Sequence, residues 1–156
     1  MINIGFVGFS DETRYDKEKA VCLIDEIFKE IKNKYFKDNE KICIISGATN
    51  CGIPRLVYEK AVELNKEYNK FIVVGVMAKE GYQFELFPCD VIYAVGNSFG
   101  EESKFFVNKL DVFYKIGGGA QSENEILMAK NKKIPCFEYI LWFCTYFLYR
   151  NEILFI

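Results

Sequence analysis

Two glycine-rich segments, Ser46–Gly52 (SGATNCG) and Gly117–Ser122 (GGGAQS), limit what this chain can fold into more than any other feature. Each comes directly after an apolar run of strand length and before a stretch of helical periodicity. Strand, glycine turn and helix in that order, twice over, predict parallel strands joined by helical crossovers, hence an α/β fold. A turn of this kind also feeds a helix N-terminus, where the first N–H groups lack partners and the positive end of the helix dipole lies. Such a terminus attracts anions, phosphate above all. Two of them predict a nucleotide-like ligand at the carboxyl edge of the sheet.

The remaining segments fit that frame. Ile2–Phe9 reads as a buried strand. Asp16–Tyr35 reads as an amphipathic helix, with Ala20, Leu23, Ile24, Ile27, Phe28 and Ile31 at helical spacing. Lys41–Ser46 is a second strand. The next helix has Pro54 in its first turn, where a missing N–H costs nothing, and ends near Asn65–Asn69. Phe71–Met77 (FIVVGVM) is apolar on both faces, as a central parallel strand is. A loop over Lys79–Pro88, expected to move over a site, leads to a strand at Val91–Val95. Then come a helix over Ser98–Leu110, a strand at Asp111–Ile116, a helix over Glu123–Asn131 and a strand at Ile134–Phe137. The alternation predicts a Rossmann-like, doubly wound, mostly parallel sheet of about six strands with helices on both faces. Residues 1–139 form that domain. The apolar segment 140–156 is expected to pack on it or at a dimer interface.

Composition removes several classes of function. The 156 residues include no histidine, which excludes histidine triads and histidine general bases. The six cysteines form no C-x-x-C pair and read as reduced thiols in a cytoplasmic protein. Cys51, in the first glycine turn, is the thiol to consider for reactivity, against the plainer reading of a small turn residue. Net charge is −2 and no polybasic block occurs, so nucleic-acid binding is not favoured. Ile140–Tyr149 is very apolar but only about half of the roughly 20 residues that a membrane helix needs, so a membrane role is not expected. No cofactor and no metal are expected.

The candidate site residues follow from the turns. Gly8 and Ser10 end the first strand, where ligands of doubly wound folds bind, and Phe9 between them would stack on a base or join the core. Gly47, Thr49, Asn50 and Gly52 offer backbone and hydroxyl donors, or form an ordinary polar loop. Arg55, in the first turn of its helix, would pair with phosphate or lie solvated at the surface. Gly117, Gly118 and Gly119 allow close approach of backbone to phosphate, with Gln121 and Ser122 beside them. Gly96, Asn97 and Ser98 end the fourth strand and would line the same crevice. Glu125 has two compatible readings: a carboxylate acting on a glycosidic bond, or the far member of a Ser122-x-x-Glu125 capping box. Glu101 and Glu102 would supply a second acid or hold a metal with Glu125, against the plainer reading of a solvated helical face.

Gly118-Gly119-Ala120-Gln121-Ser122-Glu123-Asn124-Glu125 is similar to the GG-x-G-T-x-x-E motif of the SLOG superfamily, and Ser46–Arg55 lies where those proteins carry a glycine turn and helix start. The superfamily includes the LOG phosphoribohydrolases, often labelled lysine decarboxylases, and the DprA/Smf proteins. The resemblance covers most of Met1–Phe137 in element order. It implies a Rossmann-like fold, a nucleotide or other phosphorylated small molecule as ligand, a homodimer, and a catalytic role for Glu125 in cleaving base from ribose 5′-monophosphate. The chain departs from the pattern at Gln121, a glycine in the family; at Gly117, a proline; and at Arg55, usually a glycine. Glu101-Glu102-Ser103-Lys104 replaces a stretch holding an arginine-lysine pair. Three functions remain open: an N-glycosidic hydrolase acting through Glu125, a non-catalytic nucleotide sensor or carrier, and a degenerate relative acting only as an interaction module.

Overall fold

The structure, a computed structural model, describes residues 1–37, 40–141 and 146–150. Strands β1 (Ile2–Gly8), β2 (Ile42–Ser46), β3 (Phe71–Met77), β4 (Val91–Ala94), β5 (Val112–Ile116), β6 (Cys136–Leu141) and β7 (Tyr146–Arg150) alternate with helices α1 (Lys17–Tyr35), α2 (Gly52–Tyr68), α3 (Ser103–Asn108) and α4 (Ala120–Asn131). Short 3-10 turns cover Glu12–Arg14 and Lys79–Gln83. The strands form one sheet in the order β4-β3-β2-β1-β5-β6-β7. β1 to β6 pair in parallel, and β7 adds an antiparallel edge.

This is the Rossmann-like arrangement that the alternation predicts. From β1 the chain winds outward through β2, β3 and β4, then returns to the other side of β1 as β5 and continues to β6. With right-handed crossovers, the two directions of winding put their helices on opposite faces. One face buries Ile4, Phe6, Ile42 and Ile44 under Ile24, Ile27, Phe28, Ile31, Val57 and Ala61 of α1 and α2. Phe6 is fully buried there, its ring 5.9 Å from that of Phe28 and 5.1 Å from that of Tyr114. The other face buries Val7, Cys43, Ile45, Val74 and Val76 under Phe106, Val107, Ile126 and Ala129 of α3 and α4.

Local chemistry sets the helix ends. The Lys19 N–H donates to Asp16 Oδ1 (3.1 Å), which caps α1. Asn69 closes α2 in the left-handed conformation, φ +47°. α3 is shorter than its periodicity predicts because residues before Ser103 turn instead, with Gly100 at φ +96° and the Glu101 and Glu102 carboxylates accepting the Asn97 and Gly100 N–H groups. α4 starts three residues earlier than predicted because an extended Gly119 caps it. The segment after β3 is tied down rather than left as a free loop. Asn50 Nδ2 donates to Glu85 Oε1 (2.6 Å) and the Phe87 N–H to the Ala48 carbonyl (2.9 Å).

The C-terminal apolar stretch is part strand: β6 runs to Leu141, and Ile140 pairs with Phe147 of β7. Residues 142–145 and 151–156 of the expected 140–156 segment lie outside the described residues. At the other end of the sheet β4 is an edge, its Val91 and Tyr93 exposed. The Lys109 ammonium lies 5.2 Å from the centre of the Tyr93 ring and 4.9 Å from that of Phe105. Among the described residues no helix is long and apolar enough to cross a membrane.

Removing the Phe6 ring empties the middle of the first core layer. Phe6→Ala should lower unfolding free energy by about 3–5 kcal/mol, read from the urea midpoint at unchanged slope.

Candidate functional site

β1 has β2 on one side and β5 on the other, so the chain leaves their carboxyl ends toward opposite faces and a crevice opens between. There the structure has a cleft of about 350 Å³. Its walls come from the end of β1 (Val7 to Asp11, with Arg14), the first glycine turn (Ser46, Gly47, Thr49, Pro54), Val76, Glu102 and Phe106, and the start of α4 (Gly119 to Ser122, with Glu125). Of the residues expected from sequence, Gly8, Ser10, Gly47, Thr49, Gly119, Gln121, Ser122 and Glu125 are brought together here. Asn50, Gly52, Arg55, Gly117 and Gly118 are not among the lining residues, nor are Gly96, Asn97 and Ser98.

Each outlier has a visible role. Asn50 holds Glu85, as above. Gly52, at φ +61°, is wedged under the first loop, where a Cβ would meet Ser10 Cα at 2.6 Å. Arg55 points away and donates to Glu59 Oε1 one helical turn on (2.8 Å). Gly117, at φ +62°, lies against the Phe9 ring, and Gly118, at φ +111°, against Ser122, with a Cβ 2.7 Å from that side chain's own. These two glycines shape the turn, and the third faces open space.

The two helix N-termini therefore differ. That of α2 is satisfied from within: the Ile53 N–H donates to the Phe9 carbonyl (2.8 Å), the Gly52 N–H to Glu12 Oε1 (3.4 Å), and Pro54 has no N–H. That of α4 has no side-chain cap, and its first residues line the cleft. The sequence presents two similar turns, and the structure leaves one of them open to an anion.

Glu125 is 4% exposed. Its Oε1 accepts from Ser103 Oγ (2.7 Å) and Gln121 Nε2 (3.0 Å), so the capping box expected with Ser122 does not form. α4 begins at Ala120, which puts Ser122 and Glu125 inside the helix rather than at its start. Glu102 is equally buried, at 5%, and lines the cleft, contrary to the solvated face expected of it. Its Oε1 accepts from Gln121 Nε2 (2.9 Å) and its Oε2 from the Gly100 N–H (2.8 Å). Glu101 faces outward and caps the Asn97 N–H (2.7 Å). Burial pushes the Glu125 carboxyl above its ordinary value; the hydrogen bonds from Ser103 and Gln121 oppose that, and the Glu102 charge adds to it.

Arg14, which is not among the residues expected from sequence, is the cation among the described lining residues. Its guanidinium sits 5.1 Å over the Phe9 ring. It makes no ion pair among the described residues, in contrast to Arg55. Only its place four residues beyond the Gly8-Phe9-Ser10 turn signals it in sequence. Cys51 is no activated thiol: burial first, then the Glu12 charge, pushes its pKa up. Among the described residues no group of three or more metal-ligating side chains converges.

No protein-family model matches the chain, and no curated protein matches it in sequence. In structure it is similar to TM1055, an X-ray structure from the Northeast Structural Genomics Consortium. The TM-score is 0.67 at 22% identity, over 87% of this chain and 72% of that one. At that identity the likeness carries the α/β Rossmann-like fold.

Because burial raises the Glu125 pKa, the folded protein holds that proton more tightly than the unfolded chain does. Stability then falls as pH rises from the ordinary value of 4.5 through the raised folded value. Glu125→Gln should abolish this loss. In urea titrations the variant should gain on the wild type across that window and run parallel to it above and below.

Proposed function

We propose that the protein is a SLOG-like nucleotide-binding protein that holds the phosphate of a nucleotide or nucleotide-derived ligand at the N-terminus of α4 and hydrolyses its base–ribose N-glycosidic bond. One observation carries this reading: a helix N-terminus without a side-chain cap and a buried carboxyl group, Glu125, open on the same cleft of about 350 Å³. The backbone N–H groups after Gly119 offer phosphate several donors and the positive end of the dipole. Arg14, also lining the cleft, adds a positive charge, and Phe9 beside it suits a base or a sugar. Cleavage of an N-glycosidic bond passes through an oxocarbenium-like state, and a carboxyl group in the cleft wall assists it by stabilising that charge when ionised or by protonating the departing base when not. The motif resemblance, with Glu125 in the position of the family glutamate, supports the same assignment.

A second reading, a sensor or carrier that binds without turnover, is favoured by the charges of the cleft. Among the described lining residues, Asp11, Glu102 and Glu125 stand against the single cation Arg14, and Glu102-Ser103-Lys104 supplies no arginine from the α3 side.

Chromatography of a panel of nucleoside monophosphates and dinucleotides after incubation separates the two. Free base released by the wild type and not by Glu125→Gln supports the hydrolase. Intact nucleotides with calorimetric binding select the sensor.

Gly119→Asp tests the phosphate position. Gly119 has extended backbone angles and open space at its Cβ, so aspartate fits there and caps α4. The variant should keep or slightly raise thermal stability, by a few tenths of a kcal/mol, and lose nucleotide affinity by about tenfold or more, since its carboxylate takes the phosphate position. Unchanged affinity would move the phosphate elsewhere.

A further inference from the structure

Gln121 connects two buried carboxylates that the hydrogen bonds make unequal. Its amide nitrogen lies 2.9 Å from Glu102 Oε1 and 3.0 Å from Glu125 Oε1, so each amide hydrogen serves one carboxylate. The two oxygens are therefore within about 6 Å of each other, two hydrogen-bond lengths. Two negative charges so close in a water-poor wall repel, and one site tends to keep a proton. The remaining bonds decide which. Both oxygens of Glu102 accept from N–H donors, Gln121 on one and Gly100 on the other, so neither lacks a donor. Both donors to Glu125 converge on Oε1, and Oε2 has no hydrogen-bond partner among the described residues. Oε2 is the position at which a proton completes the network. The other charged groups facing the cleft are Asp11 and Arg14, across it. Asp11 accepts from the Thr13 N–H (2.9 Å) and hydroxyl (2.7 Å) and takes no part in the pair.

We infer that Glu102 and Glu125 work as an acid–base pair, with Glu125 carrying the proton on Oε2, Glu102 ionised, and Gln121 the positioning residue that keeps them distinct. The use of the pair rests on the hydrolase reading above; the protonation pattern does not. In the reaction the C1′–N bond breaks as Glu125 Oε2 gives its proton to the departing base nitrogen. Water forms the new C1′–O bond and loses its proton to Glu102. Bound solvent returns one proton to Glu125, and the Glu102 proton leaves. This gives Glu102 a catalytic role and makes Glu125 the acid rather than the base.

The test needs no substrate. The infrared stretch of a protonated carboxyl is followed against pH in the ligand-free wild type, Glu125→Gln, Glu102→Gln and Gln121→Leu. A single protonated carboxyl should persist above the ordinary carboxylate range in the wild type and vanish in Glu125→Gln. In Glu102→Gln its midpoint should fall, because the like charge is gone. In Gln121→Leu it should rise, because a donor to the ionised form is lost. A signal that survives Glu125→Gln and vanishes in Glu102→Gln would put the proton on the wrong partner, and no raised signal in the wild type would end the proposal. Intact circular dichroism in the isosteric glutamine variants excludes misfolding as the cause. A nucleotide panel without turnover would remove the hydrolase reading while this titration still decides the protonation.

Discussion

The parallel pairing of β1 with β5, from Ile4 opposite Val112 to Gly8 opposite Ile116, is the contact on which the molecule turns. β1 is the one strand from which the sheet grows both ways. Because crossovers share one hand, this strand must send its successors to opposite faces, and a gap opens where the chain leaves. No side chain digs the cleft; it comes from topology. Side chains decide only what it presents. Close packing beneath it, with Gly8 and Gly52 accepting backbone where a Cβ would not fit, holds those groups in place.

What it presents is an unusual concentration of buried polar atoms at the seam between α3 and α4. Leaving two carboxylates in such a place is costly unless every lone pair that keeps its charge is bonded. The structure meets that requirement unevenly, through the Gln121 amide, the Gly100 backbone N–H and the Ser103 hydroxyl. A side chain one methylene shorter at position 121 would not span the gap. Gln121 and the acidic Glu102 thus make sense together: the amide at 121 reaches both carboxylates.

Much of the fold was legible in the chain. β3 falls on its apolar run, α1 on its periodicity with Asp16 as cap, and the doubly wound order follows from strand, glycine and helix in alternation. The site was legible in part. Glycine turns mark where backbone bends sharply, but not whether the bend serves a ligand or a neighbour. Gly117 and Gly118 serve Phe9 and Ser122, and Gly52 serves the Phe9–Ser10 loop. Glu102 looked like a surface charge because helical periodicity was extended through a segment that turns at Gly100. Arg14 was hidden in a polar loop with no period at all. The boundary of α4 mattered most: moved three residues, it converts a capping box into a buried carboxylate.

The exposed β4 edge has a consequence for how copies of this protein meet. An edge strand offers unpaired N–H and C=O groups to any passing strand. Here the Lys109 ammonium leans over Tyr93 and Phe105 beside that edge. A strand docking there would strip water from a fixed positive charge and displace it from two rings. Extending the sheet past β4 therefore carries a desolvation cost at Lys109 that pairing of the backbone has to offset.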